Sequence, residues 1–128
     1  MKILLDTHTL LWWLVDDSRL SVRVRELIAD EHNDVLVSAA SAWEIATKHR
    51  LGKLPLAGQL MPGYVAMIEE EGFRHLAISP AHALRAGGYA VTHGDPFDRM
   101  LAAQAEIDDM PLVTADTAFA QFPVRTFW

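Results

Sequence analysis

The sequence predicts a three-layer α/β fold in which a mainly parallel central sheet of four to five strands is flanked by helices on both faces. Short apolar runs recur along the chain, and segments with helical spacing separate them. Two of the runs end at an acid, KILLD at residues 2–6 and LVTAD at residues 112–116. Strands joined through helices pair in parallel and are covered on both faces, so they read as near-continuous apolar runs.

KILLD opens the chain as a strand, and THTLLWWLVDD after it changes to helical spacing, with Leu11 and Val15 on one side. Ser18 to Ser21 precede a second helix through RVRELIADEH, and Asn33 and Asp34 turn the chain into VLVS (35–38), the next strand. SAWEIATKHRLG (41–52) predicts a helix opened by a capping box of Ser41 and Glu44 and closed at Gly52. Lys53 to Gly58 is a predicted loop. QLMPGYVAMIEEEG predicts another helix, weakened by Pro62 and Gly63, before the strand-like cluster FRHLAIS (73–79). Pro80 opens a helix that ends near Gly87 and Gly88. In HGDPFDRMLAAQA (93–105), Pro96 favours the first helical position, which makes Asp95 the N-cap and Asp98 the third helical residue. LVTAD follows as a strand, and a short helical turn leads into VRTFW.

With 128 residues and 51% hydrophobic side chains, the chain predicts a single domain over 1–128 with a core that needs no staples. It has 0 cysteines, which excludes a disulfide framework, a zinc ribbon and a cysteine nucleophile, and fits the reducing cytoplasm. Asp6 to Thr9 interrupt the apolar run ILL…LLWWLV, which falls short of the ~20 residues of a membrane span and lacks a signal peptide's basic leader. No membrane role is expected. The net charge of -6 argues against general adhesion to nucleic acid and confines any such contact to a local site.

Ligands of parallel α/β sheets bind beyond the carboxyl ends of the strands, where the strand order reverses. Asp6 and Asp116 end strands there, and Glu44 and Asp98 begin helices that face the same edge. Singly, each has an ordinary reading. Asp6 and Asp116 suit helix caps, and Glu44 suits the capping box or an i,i+4 pair with Lys48. Asp98 has Leu101 and Ala102 where a basic partner would stand, so its charge needs the helix dipole, free amides or a cation.

Together, Asp6, Glu44, Asp98 and Asp116 are harder to explain. Two unit charges ~4 Å apart repel by about 4 kcal/mol at an effective dielectric near 20, so a cluster raises its own pKa values or recruits a cation. Oxygen ligands favour Mg²⁺ or Mn²⁺ over zinc, and none of the 6 histidines has HxH or HExxH spacing. His8 and His93 stand near the acids, available for proton or substrate contacts or for plain surface roles. Lys48, Arg50 and Lys53 either guide phosphates or complement the helix dipole. Thr7 is a candidate for a ligating water or for a cap. Trp12, Trp13 and Trp43 read as core or interface anchors rather than base-stacking platforms.

LLDTHTLLWW, SAASAWEIATKHRLGKL, DPFDRMLAAQA and LVTAD, in this order and spacing, resemble a PIN domain, more narrowly a toxin nuclease of the VapC type from type II toxin–antitoxin pairs. The resemblance runs through the whole chain. It implies a PIN-like fold and a Mg²⁺- or Mn²⁺-dependent endoribonuclease whose acidic site is Asp6 in LLDTH, Glu44 in WEI, Asp98 in FDR and Asp116 in TAD. It further implies a homodimer restrained by a VapB-type antitoxin, while the residues themselves offer Thr7, Lys48 and Arg50 as candidate substrate contacts and Asp95 as a cap rather than a ligand. Competing expectations are a non-catalytic PIN-like RNA-binding or assembly module, and a structure-specific DNA nuclease. A haloacid-dehalogenase-like phosphatase would need a second acid at the position of His8.

Overall fold

Strands β1 (Lys2–Leu5), β2 (Asp34–Ser38), β3 (Arg74–Leu76), β4 (Leu112–Val113) and β5 (Thr126–Phe127) pair in parallel in the computed structural model, which describes residues 1–128. Their order, β3-β2-β1-β4-β5, has the chain growing outward from β1 in one direction and then resuming on its other side at β4. The switch point is therefore the β1/β4 seam, where Leu4 lies opposite Leu112 and Leu5 opposite Val113.

Successive strand side chains point to opposite faces, and the two faces bury different sets. Ile3, Leu5, Val35, Val37 and Val113 face α1 (Thr7–Leu14), α2 (Val22–Ala29), α3 (Ala39–Arg50), α4 (Ala57–Leu60) and α5 (Tyr64–Glu70), in one core cluster with Leu10, Val24, Ile45 and Ile68. Leu4, Leu36 and Leu112 face the other way, toward α6 (Pro80–Gly88) and α7 (Pro96–Ile107), and pack with Ala86, Leu101, Ala102 and Phe119. This is the three-layer arrangement that alternating strands and helices predict. No helix is long and apolar enough to cross a membrane.

Four elements depart from expectation, the simplest being β4, which ends at Val113 rather than at Asp116 because the Asp116 amide bonds the Thr114 hydroxyl and Asp116 caps the following turn. Helix α3 begins at Ala39 rather than Ser41, because the Ser38 hydroxyl accepts from the Ala40 amide at 2.9 Å while donating to the buried Gln104 Oε1 at 2.5 Å. The Ser41–Glu44 capping box does not form. Ser41 is instead buried inside the helix, where its hydroxyl accepts from Thr7. The segment predicted as a helix around QLMPG breaks into α4, a 3-10 turn at Met61–Gly63 and α5, since Pro62 has no amide to donate; α4 already starts inside the expected 53–58 loop. The cluster at 73–79 shrinks to three residues, Arg74–Leu76, because β3 is an edge strand that pairs with β2 alone.

Candidate active site

Asp6 follows β1 directly and occupies the N-cap position of α1, yet its side chain caps nothing. Its Oδ2 accepts from the Thr114 hydroxyl at 2.8 Å, across the β1/β4 seam. That hydroxyl also accepts from the Asp116 amide at 3.0 Å, so one threonine ties together the ends of both strands. The Asp116 side chain is exposed, and its Oδ1 accepts from the Ala118 amide at 2.9 Å, capping the 3-10 turn Thr117–Gln121.

Glu44 sits in the second turn of α3 and is only 2% exposed. Its Oε2 pairs with the Lys48 ammonium, the i,i+4 partner, whereas its Oε1 is buried without a hydrogen-bond partner. On α7, the Asp95 Oδ1 accepts from the Phe97 and Asp98 amides at 2.8 and 3.0 Å, which makes it the N-cap. Asp98 is mostly covered, with its side chain 16% exposed. No basic residue stands at i+3 or i+4, but the chain supplies a partner from behind: His93 Nε2 lies 2.8 Å from Asp98 Oδ2.

His93 is held in turn by Arg99. The Arg99 guanidinium donates to the carbonyls of Ala86, Val91, His93, Gly87 and Tyr89, satisfying the frayed end of α6 and the connection that carries His93.

Burial raises the pKa of Asp6; the Thr114 hydrogen bond and His8 oppose the rise, and Glu44 adds to it. Burial likewise pushes Asp98 up to about 6, against the His93 contact and with the help of Asp95, Asp6 and Glu44. For Lys48, burial acts downward but is outweighed by the bond to Glu44 and the charges of Asp95 and Asp98, so its pKa is raised. Asp6, Glu44 and Asp98 therefore form one electrostatic neighbourhood. Asp116 lines the same cleft as Asp6 but lies farther toward solvent.

As the side chains stand, no three His, Asp or Glu groups converge as metal ligands; each carboxylate faces a protein donor instead. The donor set is nonetheless all oxygen, and the unpartnered Glu44 Oε1 is the kind of buried acceptor that calls for a missing positive partner. An all-oxygen donor set of this kind suits a hard divalent cation.

A cleft of about 370 Å³ opens beside Asp6 and Asp116, with His8, Trp12 and Arg19 among its walls. Thr7 takes no part in it. It is 1% exposed and donates to Ser41 at 2.9 Å, joining α1 to α3. Arg50 is exposed at the last turn of α3. Sequence reasoning missed Thr114, Arg19 and the role of Arg99. Thr114 precedes Asp116 by two residues within LVTAD and was open to notice; nothing local marks Arg19.

Over residues 3–124 the chain matches the PIN domain family model. It is 33% identical over 116 residues to Ribonuclease VapC22 of Mycobacterium tuberculosis, covering 89% of this chain and 86% of that one. The chain is a PIN domain of the VapC type. Among solved structures, FitAcB from Neisseria gonorrhoeae superposes on this PIN domain with a TM-score of 0.70 at 23% identity, covering 98% of this chain and 96% of that one. VapBC2 from Rickettsia felis, solved bound to a promoter DNA fragment, gives 0.68 at 16% identity, covering 99% and 98%. Both likenesses support the fold.

Proposed function

We propose that this PIN domain is a Mg²⁺- or Mn²⁺-dependent endoribonuclease and the toxin of a type II toxin–antitoxin pair. The observation that carries the reading is the trio Asp6, Glu44 and Asp98 at the sheet's switch point, two of them with raised pKa values and the third with a buried, unpartnered oxygen. Kinship to a protein named as a ribonuclease supports the choice of reaction, and structural relatives described as VapBC and FitAcB support an antitoxin partner of the VapB type. A homodimer fits the apolar side chains left exposed at Trp43 and Leu84.

In this reading Asp6, Glu44, Asp98 and Asp116 would hold the ion. When bound, Mg²⁺ or Mn²⁺ supplies a nucleophile at neutral pH and offsets charge gathering on the phosphate. The chain's own residues do the positioning. Thr114 fixes the Asp6 carboxylate, His93 and the Asp95 cap fix Asp98, and Lys48 moderates the charge of Glu44. Arg50, exposed at the end of α3, is available to the RNA backbone.

The test is cleavage of structured RNA by purified protein with Mg²⁺ or Mn²⁺, with EDTA as control. Cleavage that stops with chelator and is abolished in Asp6→Asn and Asp98→Asn is expected. Undiminished cleavage by both variants would remove the assignment.

A further inference from the structure

We propose that Lys48 is the internal counter-ion of the acidic site: its ammonium neutralises Glu44 in the ion-free protein, competes with a divalent cation for that carboxylate, and so sets the metal affinity. The inference rests on the metal-dependent part of the proposed function and adds to it a residue that regulates loading of the site.

Three carboxylates of the site meet three different groups. Asp6 faces the Thr114 hydroxyl, Asp98 faces the His93 imidazole, and Glu44 faces an ammonium. Lys48 is the one Lys or Arg side chain that bonds any of Asp6, Glu44, Asp98 and Asp116. The i,i+4 spacing on α3 puts it there, and the charges of Asp95 and Asp98 reach it as well as that of Glu44.

An exposed i,i+4 pair would mean little, but this carboxylate is 2% exposed, where a charge needs a partner. The pair is also incomplete. Lys48 takes Glu44 Oε2, while Oε1 stays buried with no donor, and a buried pair that served stability alone would satisfy both oxygens. Lys48 is moreover free to leave: its side chain is 29% exposed on a flexible four-carbon stem, so the ammonium reaches water by rotating about its own bonds while α3 stays in place. Two positive charges at one carboxylate repel each other, so keeping the Lys48 bond and binding an ion are coupled with opposite sign.

Mn²⁺ binding is measured by calorimetry on the native protein, Lys48→Met and Lys48→Arg. Lys48→Met, which keeps the apolar stem and loses the charge, should bind Mn²⁺ about 5- to 150-fold more tightly than the native protein, the usual span for two coupled equilibria. Lys48→Arg keeps the charge and should stay near the native affinity. Thermal unfolding should show the converse: in EDTA Lys48→Met has a lower Tm than the native protein, because Glu44 is left unpaired, and at a given Mn²⁺ concentration its Tm rises further. A second reading uses the native protein alone. By NMR, the Lys48 ammonium resonance, identified by its loss in Lys48→Arg, should move toward those of solvated lysines as Mg²⁺ saturates. A resonance unmoved at saturating Mg²⁺, or an Mn²⁺ affinity of Lys48→Met at or below the native value, overturns the counter-ion role and leaves the metal site standing. Native protein that binds neither ion overturns the metal reading and this inference together.

Discussion

Asp98 is placed where its negative charge works against the fold. Its folded pKa, about 6, lies above the ordinary value of 3.8, so the folded state holds the proton more tightly than the unfolded chain. The stability this confers is present below about pH 4 and is lost as pH rises through 6. In the metal-free protein, Asp98→Asn should therefore raise stability at pH 8 by about 2 to 3 kcal/mol and give no gain at pH 4, read by urea unfolding in EDTA. An equal gain at both pH values would show that the effect is not electrostatic. Thr114 is the complementary case, a neutral residue that supports a charged one. Thr114→Val keeps the shape but removes the donor to Asp6, and Mn²⁺ affinity by calorimetry should fall by about 10- to 100-fold. The special position of Asp98 was legible because Pro96 numbers the helix from its start. Its partner His93 was not, since helical pairs form at i+3 and i+4, whereas this contact runs five residues back through a connection that Arg99 holds.

Helix punctuation was legible wherever one residue makes the end by itself. Asp95 and Pro96 start α7, and Pro80 starts α6, although Ser79, read as the end of a strand, proves to be the α6 N-cap. Helix α3 starts two residues before the local sequence predicts because its start depends on Ser38 meeting Gln104, a contact across 66 positions. The edge strand β3 was overextended for a similar reason: its length is set by β2, the one strand it pairs with. These differences predict how the two aspartates of DPFD separate on mutation. Asp95→Ala removes the acceptor for two amides and should cost about 0.5 to 2 kcal/mol in thermal unfolding, while reducing Mn²⁺ affinity less than Asp98→Ala does. Equal losses of affinity would mean that Asp95 is itself a ligand and that the cap is incidental.

At the scale of the whole molecule, the three layers followed from alternating apolar runs, whereas the cleft could not be foreseen, since it joins α1, the following loop and the end of β4. The distribution of positive charge also emerges only here. Of the 11 Lys and Arg side chains, Arg19, Arg25, Lys48, Arg74, Arg85 and Arg125 are already ion-paired, and Arg99 is committed to carbonyls. Lys2, Arg23, Arg50 and Lys53 remain, few for a phosphate-tracking stripe. On the proposed function, RNA binding is expected from a few contacts at the site rather than from counterion release along a basic face. Each neutralised phosphate of a single strand contributes about -0.7 to the slope of log K against log salt, so one to three contacts should give a slope of roughly -0.7 to -2. Anisotropy titrations between about 50 and 200 mM salt, the range over which basic binders lose most of their affinity, measure it directly. A slope steeper than about -4 would require a broad cationic surface such as an assembled oligomer could build, and would move the origin of affinity from the cleft to the assembly.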